Sequence, residues 1–237
     1  VFSVTGDLVE LPDDAAAVCE LISSFLESWN VTQPGLDLSL AENEVREAEY
    51  RLGLALPVAL RWMLTNVGAG HNVIGRQDFL VHPRCLEIDD QGVLVYRVEN
   101  QHCAKWGVRV DEIGYLDPPV IWKDLQAGAE WCSYQQRLSV DLLEMVFNEA
   151  MLSPEANVLQ TELASGAPPE LDSLPRLAIP EHVFWPLPEG PPVRWYGMRD
   201  CLIRNDGDVW LWAFGRTADD VNRATRAIPG EWTRSQE

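Results

Sequence analysis

The stretch Val93-Leu-Val-Tyr-Arg-Val-Glu-Asn-Gln-His-Cys-Ala-Lys-Trp-Gly-Val108, followed by Asp117-Pro-Pro-Val120, decides the fold. Val93 to Val98 is apolar on both alternating sets of positions apart from Arg97, the composition of a strand inside a sheet. Asp89-Asp-Gln-Gly92 just ahead of it is turn chemistry. Trp106 to Val110, Val120 to Trp122 and Phe79-Leu-Val-His82 read as further short strands.

Helical periods flank this region. Pro12-Asp13-Asp14 precedes Val18, Leu21, Ile22, Phe25, Leu26 and Trp29, which predicts a one-faced helix with an acidic start. Val31 to Leu38, with Pro34-Gly35, reads as a loop. Ser39-x-x-Glu42 has the form of a capping box. Behind it Val45, Ala48 and Leu52 share one face, while Glu42, Glu44, Glu47 and Glu49 crowd the rest, and Gly53 is a suitable stop. Pro57 opens a helix that turns Leu60, Met63 and Leu64 inward and ends near Asn66. Val140, Leu143, Val146 and Ala150 mark a later helix with Ser139 as its cap.

Residues 154–192 hold nine of the sixteen prolines and read as a wrapping segment or linker. Cys201-Leu-Ile-Arg204 and Val209-Trp-Leu-Trp-Ala-Phe214 flank Asn205-Asp-Gly-Asp208, a hairpin signal. Thr217-x-x-Asp220 opens a last short helix. The predicted architecture is one α+β domain over 1–237, with the wrapping segment at 154–192 and an added hairpin and short helix at 193–228. A hairpin and one helix are too small to stand alone, so they are expected to pack onto or extend the central sheet.

Composition narrows the function. The 237 residues are 46% hydrophobic with ten tryptophans, ample for a core. Eighteen basic residues against 37 acidic give a formal charge of −19. That field repels phosphate backbones and anionic lipid and draws in a basic partner, so neither nucleic acid nor a membrane surface is expected as the target. Five cysteines, an odd number at wide spacings without Cys-x-x-Cys, point to a reducing cytoplasm. No apolar run approaches the roughly 20 residues of a membrane span, and Val1-Phe-Ser-Val-Thr-Gly6 does not read as a signal peptide. In a cytosolic setting the glycosylation pattern Asn30-Val-Thr32 is incidental.

Catalytic signatures are sparse. His82-x-x-Cys85 and His102-Cys103 lack the repeated spacing of a zinc module, and His71 and His182 stand apart. Gly68-Ala-Gly70 to Gly75 follows a helix rather than a strand, the wrong context for a dinucleotide loop. Asp89-Asp90 and Glu42/Glu44 are paired carboxylates, but on a turn and a solvated helix face. Trp210, Trp212 and Phe214 project from one strand face; core packing is expected over a stacking platform for bases or sugars. No catalytic residue, metal or cofactor is assigned.

The order of these pieces resembles the SUKH superfamily, bacterial immunity proteins and their relatives, among them a fungal cell-wall synthesis regulator. The residues that carry the resemblance are Leu52-Gly53 with Leu56-Pro57, the helix ending Leu64-Thr-Asn66, and the strand ending Glu99-Asn-Gln101. Trp106-Gly107-Val108, Asp117-Pro-Pro-Val120 and Trp131 complete it. It covers about residues 40 to 150 and departs at Asn66-Val-Gly68, where the family has Asn-Gly. It implies an α+β fold with helices packed on a twisted, mainly antiparallel sheet, residues 40–150 being the family-like core, and neutralisation of a cognate toxin, often a nuclease or deaminase, by direct binding.

The candidate partner-binding residues are Glu42, Glu44 and Glu47 on the acidic helix, Asp89 and Asp90 in the turn, and Glu99, Gln101, Trp106 and Asp117 in the motif. The motif also has a structural reading. Trp106 anchors the sheet, Gly107 permits close packing, Pro118-Pro119 stiffens a turn, and Glu99 to Gln101 satisfy turn backbone groups. Two other functions remain open at this level. One is a scaffold that presents the Pro-rich segment to host partners. The other is an enzyme using Cys103 or His102 near Glu99.

Overall fold

The structure, a computed structural model, describes residues 2–31, 38–68, 75–126, 128, 130–164 and 166–234. The chain forms two compact units, Pro12–Ser153 and the pair of segments Val1–Leu11 with Pro154–Glu237. One helical turn, α1 (Val4–Asp7), opens the second, terminal unit.

The mid-chain unit begins with three helices. Asp14 caps α2 (Ala15–Ser28) by accepting from the Ala17 N–H at 3.0 Å, and Val18, Ile22, Phe25 and Leu26 are buried on one face. α3 (Leu38–Leu52) starts ahead of Ser39, whose side chain lies outside the described residues, so the expected box is not the helix start. Gly53 ends α3 with φ +69°, and the Gly53 N–H donates to the Glu49 carbonyl at 2.9 Å. α4 (Val58–Asn66) follows Pro57, which sits at the N-cap, one residue ahead of the helix.

The strands are β1 (Asp78–Leu80), β2 (Glu87–Ile88), β3 (Val93–Glu99), β4 (Ala104–Arg109), β5 (Val120–Asp124) and β6 (Cys132–Gln135). Their order is β1-β3-β4-β5-β6, with β2 also on β3, and every pairing is antiparallel. The register of β3 on β4 slips between Val95 and Arg97. This irregularity lets two sequence neighbours reach one target: Tyr96 Oη donates to Asp141 at 2.6 Å and Arg97 Nη1 to the same carboxylate at 2.9 Å. Asp141 lies on α5 (Leu138–Met151), every residue of which is buried. α5 packs with α2, α4 and β6. Val93, Val95, Ile121 and Trp131 form a separate apolar cluster.

The terminal unit is built on a second antiparallel sheet. It comprises β7 (Asn157–Glu162), β8 (Arg194–Met198), β9 (Cys201–Asp206) and β10 (Trp210–Gly215), in the order β7-β10-β9-β8. The predicted hairpin is β9–β10, but it does not extend the first sheet. It recruits β7 from the start of the Pro-rich segment and β8 from just beyond it, which gives it a sheet of its own. Thr217 caps α6 (Ala218–Ala227) in a full capping box with Asp220. α6 covers Leu211, Ala213 and Ile203 with Val221 and Ala224. The core face of β10 is thus the Leu211–Ala213 face. Of the three aromatics expected in the core, Phe214 is buried, whereas Trp210 and Trp212 are half-buried on the face opposite Leu211 and Ala213, Trp212 Nε1 donating to Asp206 at 2.9 Å. The chain from 163 to 193 is pinned by bridges Arg176–Tyr196 and His182–Val193.

Candidate partner-binding surface

The acidic helix face is largely spent on internal ion pairs. Arg61 on α4 reaches back to both Glu42 and Glu49, and Glu42 also pairs with Arg46 at 3.2 Å. The partnership with the two glutamates holds the Arg61 guanidinium above its ordinary range, the Glu49 hydrogen bond foremost. Glu44 takes Arg84 at 2.9 Å and His82 at 3.3 Å from the turn after β1. Arg51 closes the same seam with bonds to the Leu86 and Pro83 carbonyls at 2.9 and 3.0 Å. Of the three candidates on α3, only Glu47 stands fully exposed.

Asp89 organises the turn ahead of β3. Its carboxylate accepts from the Gln91 and Val93 N–H groups, each at 3.0 Å, from Trp131 Nε1 at 3.0 Å and from Lys105 Nζ at 3.3 Å. Lys105 also lies 5.0 Å from the centroid of the Trp131 ring. Burial works against the Asp89 charge, but these donors outweigh it and hold the carboxyl below its ordinary value. Asp90, next to it, is exposed.

Two motif candidates are withdrawn from any partner by burial. Trp106 is fully buried, with Arg97 over its ring at 4.2 Å and Tyr134 edge-on at 5.8 Å. Glu99 is 2% exposed; it accepts from Gln101 N–H at 2.8 Å, Cys103 N–H at 3.1 Å and Gln77 Nε2 at 3.0 Å. Both are corrections: an aromatic packed between Arg97 and Tyr134 and a carboxylate closing its own turn have no surface to offer. Gln101 is exposed. Asp117 is mostly covered because it secures the start of α5, accepting from Ser139 N–H at 2.9 Å, Ser139 Oγ at 2.6 Å and Arg137 Nε at 2.9 Å. Ser139 therefore sits inside the first turn and donates, rather than capping as expected.

Cys103, the nucleophile of the enzyme reading, follows Glu99 and His102 in the turn after β3. Desolvation and then the Glu99 carboxylate push the Cys103 thiol up, away from the thiolate. All five cysteines are thiols. Among the described residues no group of three or more His, Cys, Asp or Glu is placed to hold a metal ion, and no helix is long and apolar enough to cross a membrane. Residues 69–74 of the glycine-rich stretch, His71 among them, residues 32–37 of the expected loop and Thr32 of the glycosylation pattern lie outside the described residues.

Two features escaped the sequence reading. The turn between β4 and β5 exposes Tyr115 at 59% and Leu116 at 90%. The terminal unit has a cleft of about 500 Å³ lined by Pro168, Pro169, Leu171, Arg176, Arg194 and Tyr196, among others. Its arginines are already matched: Glu181 takes Arg176 at 2.8 Å and Arg194 at 3.4 Å, and Asp208 takes Arg194 at 3.5 Å. The carboxylate of Asp172 also lines the cleft.

No family model, no curated protein and no solved structure matches the chain.

Proposed function

We propose that the chain is a non-enzymatic protein-binding module of the SUKH type, a cytoplasmic immunity protein that neutralises a basic toxin domain by covering it. The carrying observation is charge: 37 acidic against 18 basic residues, with Asp13, Glu47, Asp90 and Asp111 exposed on the mid-chain unit. A nuclease or nucleic-acid deaminase presents a cationic surface, and carboxylates stand in there for phosphates. Residues 40 to 150, which carry the resemblance, fall within the Pro12–Ser153 unit, and its run of helices, antiparallel strands and late helix supports the reading.

The enzyme alternative loses its motive where Glu99 is consumed by its own turn and the Cys103 thiol is pushed above its ordinary value by desolvation and Glu99. The scaffold alternative needs an extended Pro-rich segment, whereas that segment contributes β7 and two bridges to a sheet. The test is co-expression with the toxin domain encoded beside the chain's own gene. Growth rescue is expected, with a stable 1:1 complex whose association slows as salt rises. Undiminished toxicity in cells that contain the folded chain would sink the proposal.

A further inference from the structure

We infer that the turn between β4 and β5 is the apolar anchor of this chain, with Tyr115 and Leu116 entering a pocket on a cationic protein. The inference rests on the protein-binding reading and names the point of contact. A single exposed leucine means little. Here two adjacent large apolar side chains stand at 59% and 90% exposure at the tip of one turn.

The tip is held in place before any partner arrives. The Glu112 N–H donates to the Arg109 carbonyl at 3.1 Å, Tyr115 N–H to the Glu112 carbonyl at 3.0 Å, and Val110 N–H to the Gly92 carbonyl at 2.9 Å. At its far root Asp117 grips Ser139, and the Leu138 N–H donates to the Pro118 carbonyl at 2.9 Å. A preordered anchor loses little conformational entropy on docking.

Charge selects the occupant. Asp111 is exposed and Glu112 half-exposed in the same turn. Arg137 draws Asp13 alongside, donating through Nη2 to its carbonyl at 3.0 Å while Nε holds Asp117. Asp117 thereby matches the Arg137 charge, and the apolar tip is left beside Asp111 and Glu112, which outnumber the half-buried Arg109 at its root. A buried apolar anchor in a polar ring is the usual anatomy of an energetic centre at an interface. A membrane would demand the opposite rim, since anionic headgroups attract Lys and Arg.

The probe is the purified toxin domain encoded beside the gene, titrated against the full chain. The Tyr115→Ser/Leu116→Ser variant is expected to bind at least about 30-fold more weakly. Asp111→Asn with Glu112→Gln should slow association with little change in dissociation. Tyr50→Ser, which removes an aromatic side chain 91% exposed on α3, is the control, and circular dichroism checks that each variant folds. Wild-type binding with an unchanged constant in the Ser/Ser variant overturns the anchor and leaves the immunity reading standing. If the toxin domain does not bind the wild-type chain, that reading falls, and the anchor is judged by a photo-crosslinking amino acid at position 116 in expressing cells. A basic protein that is crosslinked from 116, and that on purification binds wild type but not the Ser/Ser variant, upholds it. An acidic partner, no adduct, or Leu116-dependent sedimentation with phosphatidylcholine–phosphatidylglycerol vesicles overturns it.

Discussion

Arg97 donates to Asp141 at 2.9 Å with only 4% of one side chain and none of the other exposed to solvent. Asp78 takes the other edge of the guanidinium, the Trp106 ring lies against it at 4.2 Å, and Tyr96 completes the shell of Asp141. One cation thus ties the edge strand β1, the central strand β3 and helix α5. Burial disfavours the guanidinium charge, yet the two carboxylates hold its pKa well above the ordinary range. Arg97→Met leaves two buried carboxylates unmatched. A loss of about 3–5 kcal/mol is expected in urea unfolding. A loss under 1 kcal/mol would show that the cluster is not what ties α5 to the sheet.

Gly107 faces β3 at a point with no room for a side chain. A Cβ there would lie 2.7 Å from the Leu94 carbonyl oxygen and also strike the Val93 side chain. The obstacle is partly backbone, so it cannot swing aside. Gly107→Ala is expected to cost about 1–3 kcal/mol, read as a lower thermal midpoint, with the helices intact by far-ultraviolet circular dichroism. An unchanged midpoint would mean that β3 and β4 separate easily.

Much of the fold was legible because strong local patterns coincide with tertiary contacts. The Val93–Val98 run is buried on both faces because its sheet is, and Asp14 and Thr217 cap their helices as their positions predict. The unrecognised strands were those without a pattern of their own. Asn157-Val-Leu-Gln-Thr-Glu162 and Arg194-Trp-Tyr-Gly-Met198 become strands by lying against β10 and β9. The site was legible as charge but not as geometry. Glu42, which read as solvated, finds Arg61 19 residues away, and Asp117, which read as a partner contact, finds Ser139 22 residues away, so both are spent inside. Tyr115 and Leu116 failed in the other direction, since their composition predicts burial.

Asp89 supplies a pH signature. Its carboxyl is held below the ordinary 3.8, so the folded state keeps it ionised where the unfolded chain has begun to take up a proton. The stabilisation is complete above the unfolded value and is lost as pH falls through about 4 towards the folded one. Asp89→Asn is expected to cost about 1–2 kcal/mol at neutral pH. The gap to wild type should hold down to about pH 5 and close below pH 4. Urea unfolding at pH 7, 5 and 3.5, followed by tryptophan fluorescence, reads it. A gap that stays constant to pH 3.5 would contradict the assignment.

Asp117 separates holding a turn from touching a partner. Its carboxylate takes the Ser139 N–H and hydroxyl together with Arg137, three bonds that fix the first turn of α5 to the segment after Leu116. Asp117→Ala leaves the Ser139 N–H without this acceptor near a helix start, and a loss of about 2 kcal/mol is expected. Because the same bonds root the exposed tip, amide exchange should quicken together at 111–117 and at 138–141, while Asp111→Asn changes neither. On the proposed function, affinity for the neighbouring toxin domain should drop in Asp117→Ala through loosened display of Leu116, and a disulfide or proline that re-stiffens the turn should restore it. Affinity that drops with exchange rates unmoved would instead make Asp117 a direct contact and would relocate the interface to the mouth of α5.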